Sequence, residues 1–211
     1  MEEKIVKHYS SFHNILLVGE GDFSFALCLA KAFGSAVNMV ATSLDDRGSL
    51  AMKYRGAIRN LIELEGLGCT IMHEVDVHNM NQHHQLKHHN FFDRIIFNFP
   101  HSGFFQNESD AWVIGEHKKL VSGFLGSAKY MLNVGGEIHI THKTAHPFSN
   151  WNIKNLAENE KLLFIEEVTF YQHFYPGYGN KKGAGFKCDK SFPIGKCSTF
   201  KFGSLYYNFV L

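Results

Sequence analysis

The stretch Ile15-Leu-Leu-Val-Gly-Glu-Gly-Asp-Phe-Ser-Phe25 constrains the fold of this chain more than any other. Four apolar residues run into a Gly-x-Gly turn, and an apolar segment follows at once. A buried strand that feeds a helix through glycines lets backbone N–H groups approach a nucleotide-like ligand without hindrance from Cβ atoms. The turn therefore reads as the floor of a cofactor site, with Gly19, Glu20, Gly21, Asp22, Phe23 and Ser24 as its candidate contacts. Asp22 and Ser24 can also cap the following helix, and the two roles are compatible.

The rest of the chain alternates between strand-like and helix-like patterns. Ile15–Val18, Val37–Ser43, Thr70–Val75, Asp93–Phe99 and Glu137–Thr141 read as strands. Phe23–Phe33 reads as a helix ending at Gly34, which suits a left-handed cap. Leu50, Tyr54, Ala57, Leu61 and Leu64 recur at three- and four-residue steps and predict one amphipathic helix, stopped by Gly66 and Gly68. A short surface helix is expected within the His-rich segment 79–90, and a long helix over Leu120–Leu132, broken by Gly135-Gly136. Five strands separated by helices argue for a doubly wound parallel sheet. After a helix at Ile153–Lys161, Leu163–Phe174 and Ser198–Phe202 read as strands with no helix between them, so they must pair antiparallel. With no repeat and no dividing linker, one domain is expected over residues 1–211, its core at about 12–203.

A net charge of +1 excludes a bulk polyanion binder, so any contact with nucleic acid must come from a local patch. The segment 175–197 is such a patch. It is long for a loop in a packed domain, and between 181 and 201 it sets six lysines against the single acid Asp189. Four scattered cysteines without a C-x-x-C pair predict a reduced, intracellular protein. The N-terminus lacks a signal-peptide apolar core, and no apolar run reaches membrane-span length. His139, His142 and His146 do not share one strand face and lack a supporting motif, and Cys188 and Cys197 are a weak pair; no metal ligand set is read.

Five parallel strands with a terminal antiparallel pair resemble the Rossmann-like fold of class I S-adenosylmethionine-dependent methyltransferases, a mostly parallel sheet of seven strands. In that likeness Asp45, at the end of the second strand, accepts the ribose hydroxyls, and Asp76, after the third, lies near the adenine. Leu17 and Phe23 stand where the common class I loop has an acid and a third glycine. The wording Leu16-Leu-Val-Gly-Glu-Gly-Asp-Phe-Ser-Phe25, Ala41-Thr-Ser-Leu-Asp45, Phe97-Asn-Phe-Pro-His101 and Tyr175-Pro-Gly-Tyr178 is similar to the 25S ribosomal RNA (uridine-N3)-methyltransferase-like family. The resemblance implies an N-methyltransferase using S-adenosylmethionine on an RNA substrate, in the nucleus, nucleolus or cytoplasm. It leaves the oligomeric state open, a monomer included.

Asn98-Phe-Pro-His101 closes the fourth strand at its carboxyl end, where open α/β sheets place their reactive groups. It resembles the Asn-Pro-Pro-aromatic turn of amino-directed methyltransferases. That assigns catalysis to Asn98, Pro100 and His101: Asn98 orients the base and also meets the cofactor, and His101 is the candidate general base. Lys143, Trp151, Tyr178, Lys181 and Lys182 are candidate substrate contacts. The competing expectations are a small-molecule N-methyltransferase, a non-catalytic cofactor-fold module, and a nicotinamide oxidoreductase. The last is opposed by Asn98–His101 and by the terminal strand pair.

Overall fold

The structure is a computed structural model that describes residues 2–89, 91–103 and 107–204. Asn90, at the end of the expected surface helix, lies outside the described residues. The chain forms two compact units: residues up to Val75 together with Tyr171–Pro193, and Asp76–Phe170 together with residues from Ile194 on.

The first unit begins with an antiparallel hairpin, β1 (Ile5–Val6) and β2 (Tyr9–Ser10), that has no counterpart among the sequence expectations. β3 (Ile15–Val18) follows with all four residues buried, then α1 (Ser24–Phe33), which Gly34 ends at φ 77°. β4 (Met39–Thr42) pairs parallel with β3, Ile15 opposite Met39. Two helices come next, α2 (Arg47–Lys53) and α3 (Ala57–Gly66), where one was expected. All five residues of the predicted stripe are buried, but Tyr54 takes an extended backbone and breaks the helix. A hydrophobic period survives such a break, because burial is set by direction and not by continuity. β5 (Thr70–Met72) pairs parallel with β4.

In the second unit, short 3₁₀ turns at Met80–Gln82 and Leu86–His88 stand where a surface helix was expected. β6 (Phe92–Asn98) leads to α4 (Ala111–Ala128). β7 (Leu132–Lys143) starts five residues before the predicted strand and runs through Gly135-Gly136. Those glycines serve the strand: a Cβ on Gly136 would lie 2.8 Å from the Phe92 carbonyl oxygen. α5 (Ile153–Asn159) precedes β8 (Leu162–Thr169), and β9 (Cys197–Ser204) completes the set. β6 and β7 are parallel, Ile96 opposite His139, whereas β9 is antiparallel to both β7 and β8. The core gathers Phe97, Val121, Phe124, Leu125, Ile138 and Ile140, with Phe97 and Phe124 edge-to-face at 5.1 Å.

The strand order is β5-β4-β3-β6-β7-β9-β8. This is the expected mixed α/β architecture, a mostly parallel seven-stranded sheet with its antiparallel strands at the C-terminal end.

Candidate active site

In the first unit, β3 ends at Val18 and Gly19 turns the chain at φ 65°. Phe23 then serves as the N-cap of α1 at φ 60°, ψ 17°, and its side chain gives no cap hydrogen bond. Here a phenylalanine adopts the left-handed conformation that a third glycine would supply freely. Its ring is fully buried and meets the His73 ring edge-on at 6.3 Å. The unsatisfied donors of the helix start go to neighbouring carboxylates. Asp22 Oδ1 accepts the Ser24 N–H at 3.0 Å, and Glu20 Oε2 accepts the Ala26 N–H at 3.2 Å. Burial pushes the Glu20 carboxyl up to about 8, with the Ala26 N–H opposing and the Asp22 charge adding to the rise. Glu20 is therefore largely protonated at neutral pH.

Asp46 is the N-cap of α2, accepting from Ser49 N–H at 2.9 Å. That frees Asp45 from capping; its carboxylate meets Lys53 Nζ at 2.5 Å instead. The segment 171–193 is tied back to the glycine turn. Ser24 Oγ accepts the Gly179 N–H at 3.1 Å, and Lys181 Nζ lies 3.6 Å from Asp22 and 2.7 Å from Asp189. Tyr178 sets its ring edge-on to Phe25 at 5.1 Å. The Tyr54 ring stands over Gly21, where an added Cβ would meet it at 3.3 Å. Lys182 is exposed. Tyr54 and Lys53 were not among the sequence candidates. The helical period marked Tyr54 for burial, and nothing local marked Lys53.

In the second unit, β6 ends at Asn98, and Phe99 takes φ 48° before the buried Pro100. The Phe99 N–H donates to the Thr141 carbonyl at 2.7 Å, which ties the turn to β7. Asn98 Oδ1 and Nδ2 are both buried and have no hydrogen-bond partner among the described residues. Leaving a buried amide unpaired costs about 1–3 kcal/mol, a cost that a polar ligand at this turn would offset.

Beside it, Glu108 bridges two histidines: His101 Nε2 lies 2.9 Å from one carboxylate oxygen, and His117 Nε2 lies 3.2 Å from the other. Each Nδ1 already accepts a backbone N–H, from Gly103 to His101 at 3.0 Å and from Ser102 to His117 at 3.1 Å. Both rings must then carry their proton on Nε2 and donate it to Glu108. Hydrogen bonds from His101 and His117 hold the Glu108 carboxyl down at about 2, against its partial burial. Among the described residues, this is the one group whose ligand atoms could converge on a metal. A metal would need the Nε2 lone pairs, and the backbone donors at Nδ1 oppose that tautomer. His117 is fully buried and stacks on Trp151 at 4.3 Å, and Trp151 packs on His142 at 4.2 Å.

Trp151 is therefore a core residue, 1% exposed. His142 Nε2 bonds the Phe148 carbonyl at 3.1 Å, and burial pulls its pKa down to about 4. Lys143 Nζ lies 4.5 Å above the Phe148 ring, and Asp76 pairs with His78 at 2.7 Å. Of the second-unit candidates, Asn98, Pro100 and His101 share one turn, and Trp151 packs on His117 beside it, whereas Asp76 is taken up by His78 and Lys143 by the Phe148 ring. Glu108 and His117 escaped the sequence reading, because their spacing from His101 matches no local motif.

The model of the BMT5-like family, described as rRNA (uridine-N3-)-methyltransferase BTM5-like, matches residues 16–182. The chain belongs to this family. It is an S-adenosylmethionine-dependent methyltransferase. An uncharacterized Arabidopsis thaliana protein is 52% identical over 205 residues, covering 96% of this chain and 98% of that protein. The 25S rRNA (uridine(2634)-N(3))-methyltransferase of Saccharomyces cerevisiae is 22% identical over 229 residues, with 84% and 68% covered. Two solved structures share the fold. A methyltransferase from Pyrococcus furiosus has a TM-score of 0.54 at 16% identity, covering 90% of this chain and 74% of that one. The N-methyltransferase NodS of Bradyrhizobium japonicum, in complex with S-adenosyl-L-homocysteine, has a TM-score of 0.51 at 12% identity, with 91% and 78% covered. No helix among the described residues is long and apolar enough to cross a membrane.

Within the first unit, Asp45 stands after β4, free of capping duty, and the glycine turn follows β3, a donor and acceptor set of the kind S-adenosylmethionine needs.

Proposed function

We propose that this BMT5-like protein methylates N3 of a uridine in RNA, with ribosomal RNA as the preferred substrate. The observation that carries the reading is the buried, unpartnered amide of Asn98. Uracil N3–H is a donor flanked by two carbonyl acceptors. A carboxamide offers the complementary acceptor and donor side by side, so Nδ2 can donate to a flanking carbonyl and Oδ1 can hold the N3–H in place until the base removes that proton. Bound S-adenosylmethionine supplies an electrophilic methyl group. Gly19–Ser24 and Asp45 would hold it, Asp45 exchanging Lys53 for ribose hydroxyls.

The neutral imide has no free lone pair at N3, so that proton must leave. His101 has one unprotonated nitrogen, Nδ1, which now accepts the Gly103 N–H. A shift of Gly103 exposes it to the substrate, and the Glu108 carboxylate on Nε2 stabilises the imidazolium that forms. Pro100 fixes the turn, so that orientation supplies much of the rate. Asp76, Lys143, Tyr178, Lys181 and Lys182 are assigned to the ligand-binding surfaces. The family match and the yeast relative support the uridine reading.

The test compares methyl transfer to a large-subunit rRNA fragment with transfer to free uridine over a salt series. Faster transfer to RNA, falling steeply with salt, is expected, because phosphate contacts release counterions. Equal, salt-independent rates would favour a small-molecule N-methyltransferase.

A further inference from the structure

The loop between Tyr175 and Pro193 does more than close over the glycine turn. Its root is anchored by Gly179 on Ser24, by Lys181 on Asp22, and by the buried Asn180, whose Nδ2 donates to the Phe192 carbonyl at 2.6 Å. Its two arms are laced together, with Lys182 N–H to Lys190 O at 3.0 Å and Gly183 N–H to Cys188 O at 3.1 Å. Cys188 Sγ reaches the Lys53 carbonyl at 3.2 Å, and Arg55 N–H reaches Asp189 at 3.4 Å.

The tip of this braced loop is a 3₁₀ turn, Gly185–Lys187, and Phe186 on it is 111% exposed. A phenyl ring on an ordered tip is thus presented entirely to water. Lys182, Lys187 and Lys190 around it are exposed, while Asp189, the only acid between 181 and 201, is taken up by Lys181.

We propose that Phe186 and these three lysines form a stacking platform for a single-stranded nucleotide of the RNA substrate, an inference that rests on the RNA reading above. A base offers a π-face whatever its sequence, and lysines beside the ring meet the phosphates on either side. One phenyl ring next to Ala184 and Gly185 buries too little apolar area to hold a membrane surface, which favours RNA over lipid. The bracing matters because a preorganised ring loses little freedom on stacking.

Fluorescence anisotropy of the full chain with a labelled single-stranded 12-mer RNA tests this at several salt concentrations. Phe186→Ala is expected to weaken binding about tenfold or more, and Phe186→Trp to retain affinity with indole fluorescence quenched by RNA. Replacing Lys182, Lys187 and Lys190 together by Ala is expected to flatten the log–log salt slope by about 2, near 0.7 per phosphate contact. A folded Phe186→Ala protein that binds and methylates RNA like the parent would overturn the platform and leave the RNA reading standing. Absence of RNA binding and of RNA methylation by the parent would overturn both. Quenching of Phe186→Trp by anionic phosphatidylserine vesicles but not by RNA would also overturn the assignment.

Discussion

Two strand ends, one in each unit, place a phenylalanine in the left-handed backbone region: Phe23 after β3 at φ 60° and Phe99 after β6 at φ 48°. Bulky residues hold such conformations at a cost of about 1–3 kcal/mol each. The surroundings then diverge. Around Phe23 the ring is buried, Asp22 and Glu20 serve the first turn of α1, and Asp22 and Ser24 hold Lys181 and Gly179 of the overlying loop. Around Phe99 the ring is half-buried, and the preceding Asn98 keeps its whole amide unpaired among the described residues. The first turn is closed by its own protein; the second leaves its amide unpaired among the described residues. Strain is common to both turns, and the unspent hydrogen-bonding group is what separates them.

The contrast breaks most sharply on activity. Asn98→Ala is expected to lower the rate of methyl transfer about 10²-fold or more, the scale set by removing a positioned hydrogen-bonding group. Its thermal midpoint should stay within a few degrees of the parent, because no protein partner is orphaned. A large loss of stability with little loss of rate would reverse the roles given to the two turns.

Stability should answer the other way. Phe23→Ala is expected to cost about 3–5 kcal/mol in urea denaturation, the range for a fully buried phenylalanine. Phe99→Ala should cost clearly less. Equal costs would erase the distinction.

The two units also carry opposite pH signatures. Glu20, raised from 4.5 to about 8, binds a proton more readily when folded, so its contribution is full below pH 4.5 and fades as pH rises through 8. His139 and His142, lowered from 6.5 to about 4 chiefly by burial, contribute above pH 6.5 and lose it as pH falls through 4. Glu20→Gln should therefore leave the thermal midpoint near that of the parent at pH 4 and raise it progressively as pH climbs from 5 to 8. His142→Phe should flatten the loss of stability between pH 6.5 and 4. Parallel melting curves across pH would deny both assignments.

The smallest expected effect is on the cofactor side. Lys53→Met removes the cation that occupies Asp45 and should tighten S-adenosylhomocysteine binding by a few-fold in calorimetry. Weaker binding would mean that Lys53 itself belongs to the site.

The features legible in sequence are those written in contiguous residues. Ile15–Phe25 gave strand, turn and helix, because four apolar residues followed by two glycines leave few alternatives. The antiparallel pairing of β8 and β9 followed from two strands with no helix between them. Illegible were features made by distant parts. The extended Tyr54 sits inside an unbroken hydrophobic period. The Glu108 bridge joins His101 and His117 across a turn and a helix, and no spacing rule announces it. Trp151 shows why an aromatic is ambiguous in sequence, since only the fold reveals it wedged between His117 and His142. Gly135-Gly136 misled in the other direction: a pair that usually stops a helix here gives the Phe92 carbonyl room inside β7.

The most direct test of the open turn is nucleoside mass spectrometry of a large-subunit rRNA fragment incubated with S-adenosylmethionine carrying a trideuterated methyl group. The account expects trideuteromethylated 3-methyluridine with the parent protein, and about 10²-fold less with an Asn98→Ala variant that still binds S-adenosylhomocysteine. Label on another nucleoside, or equal label from both proteins, would contradict it.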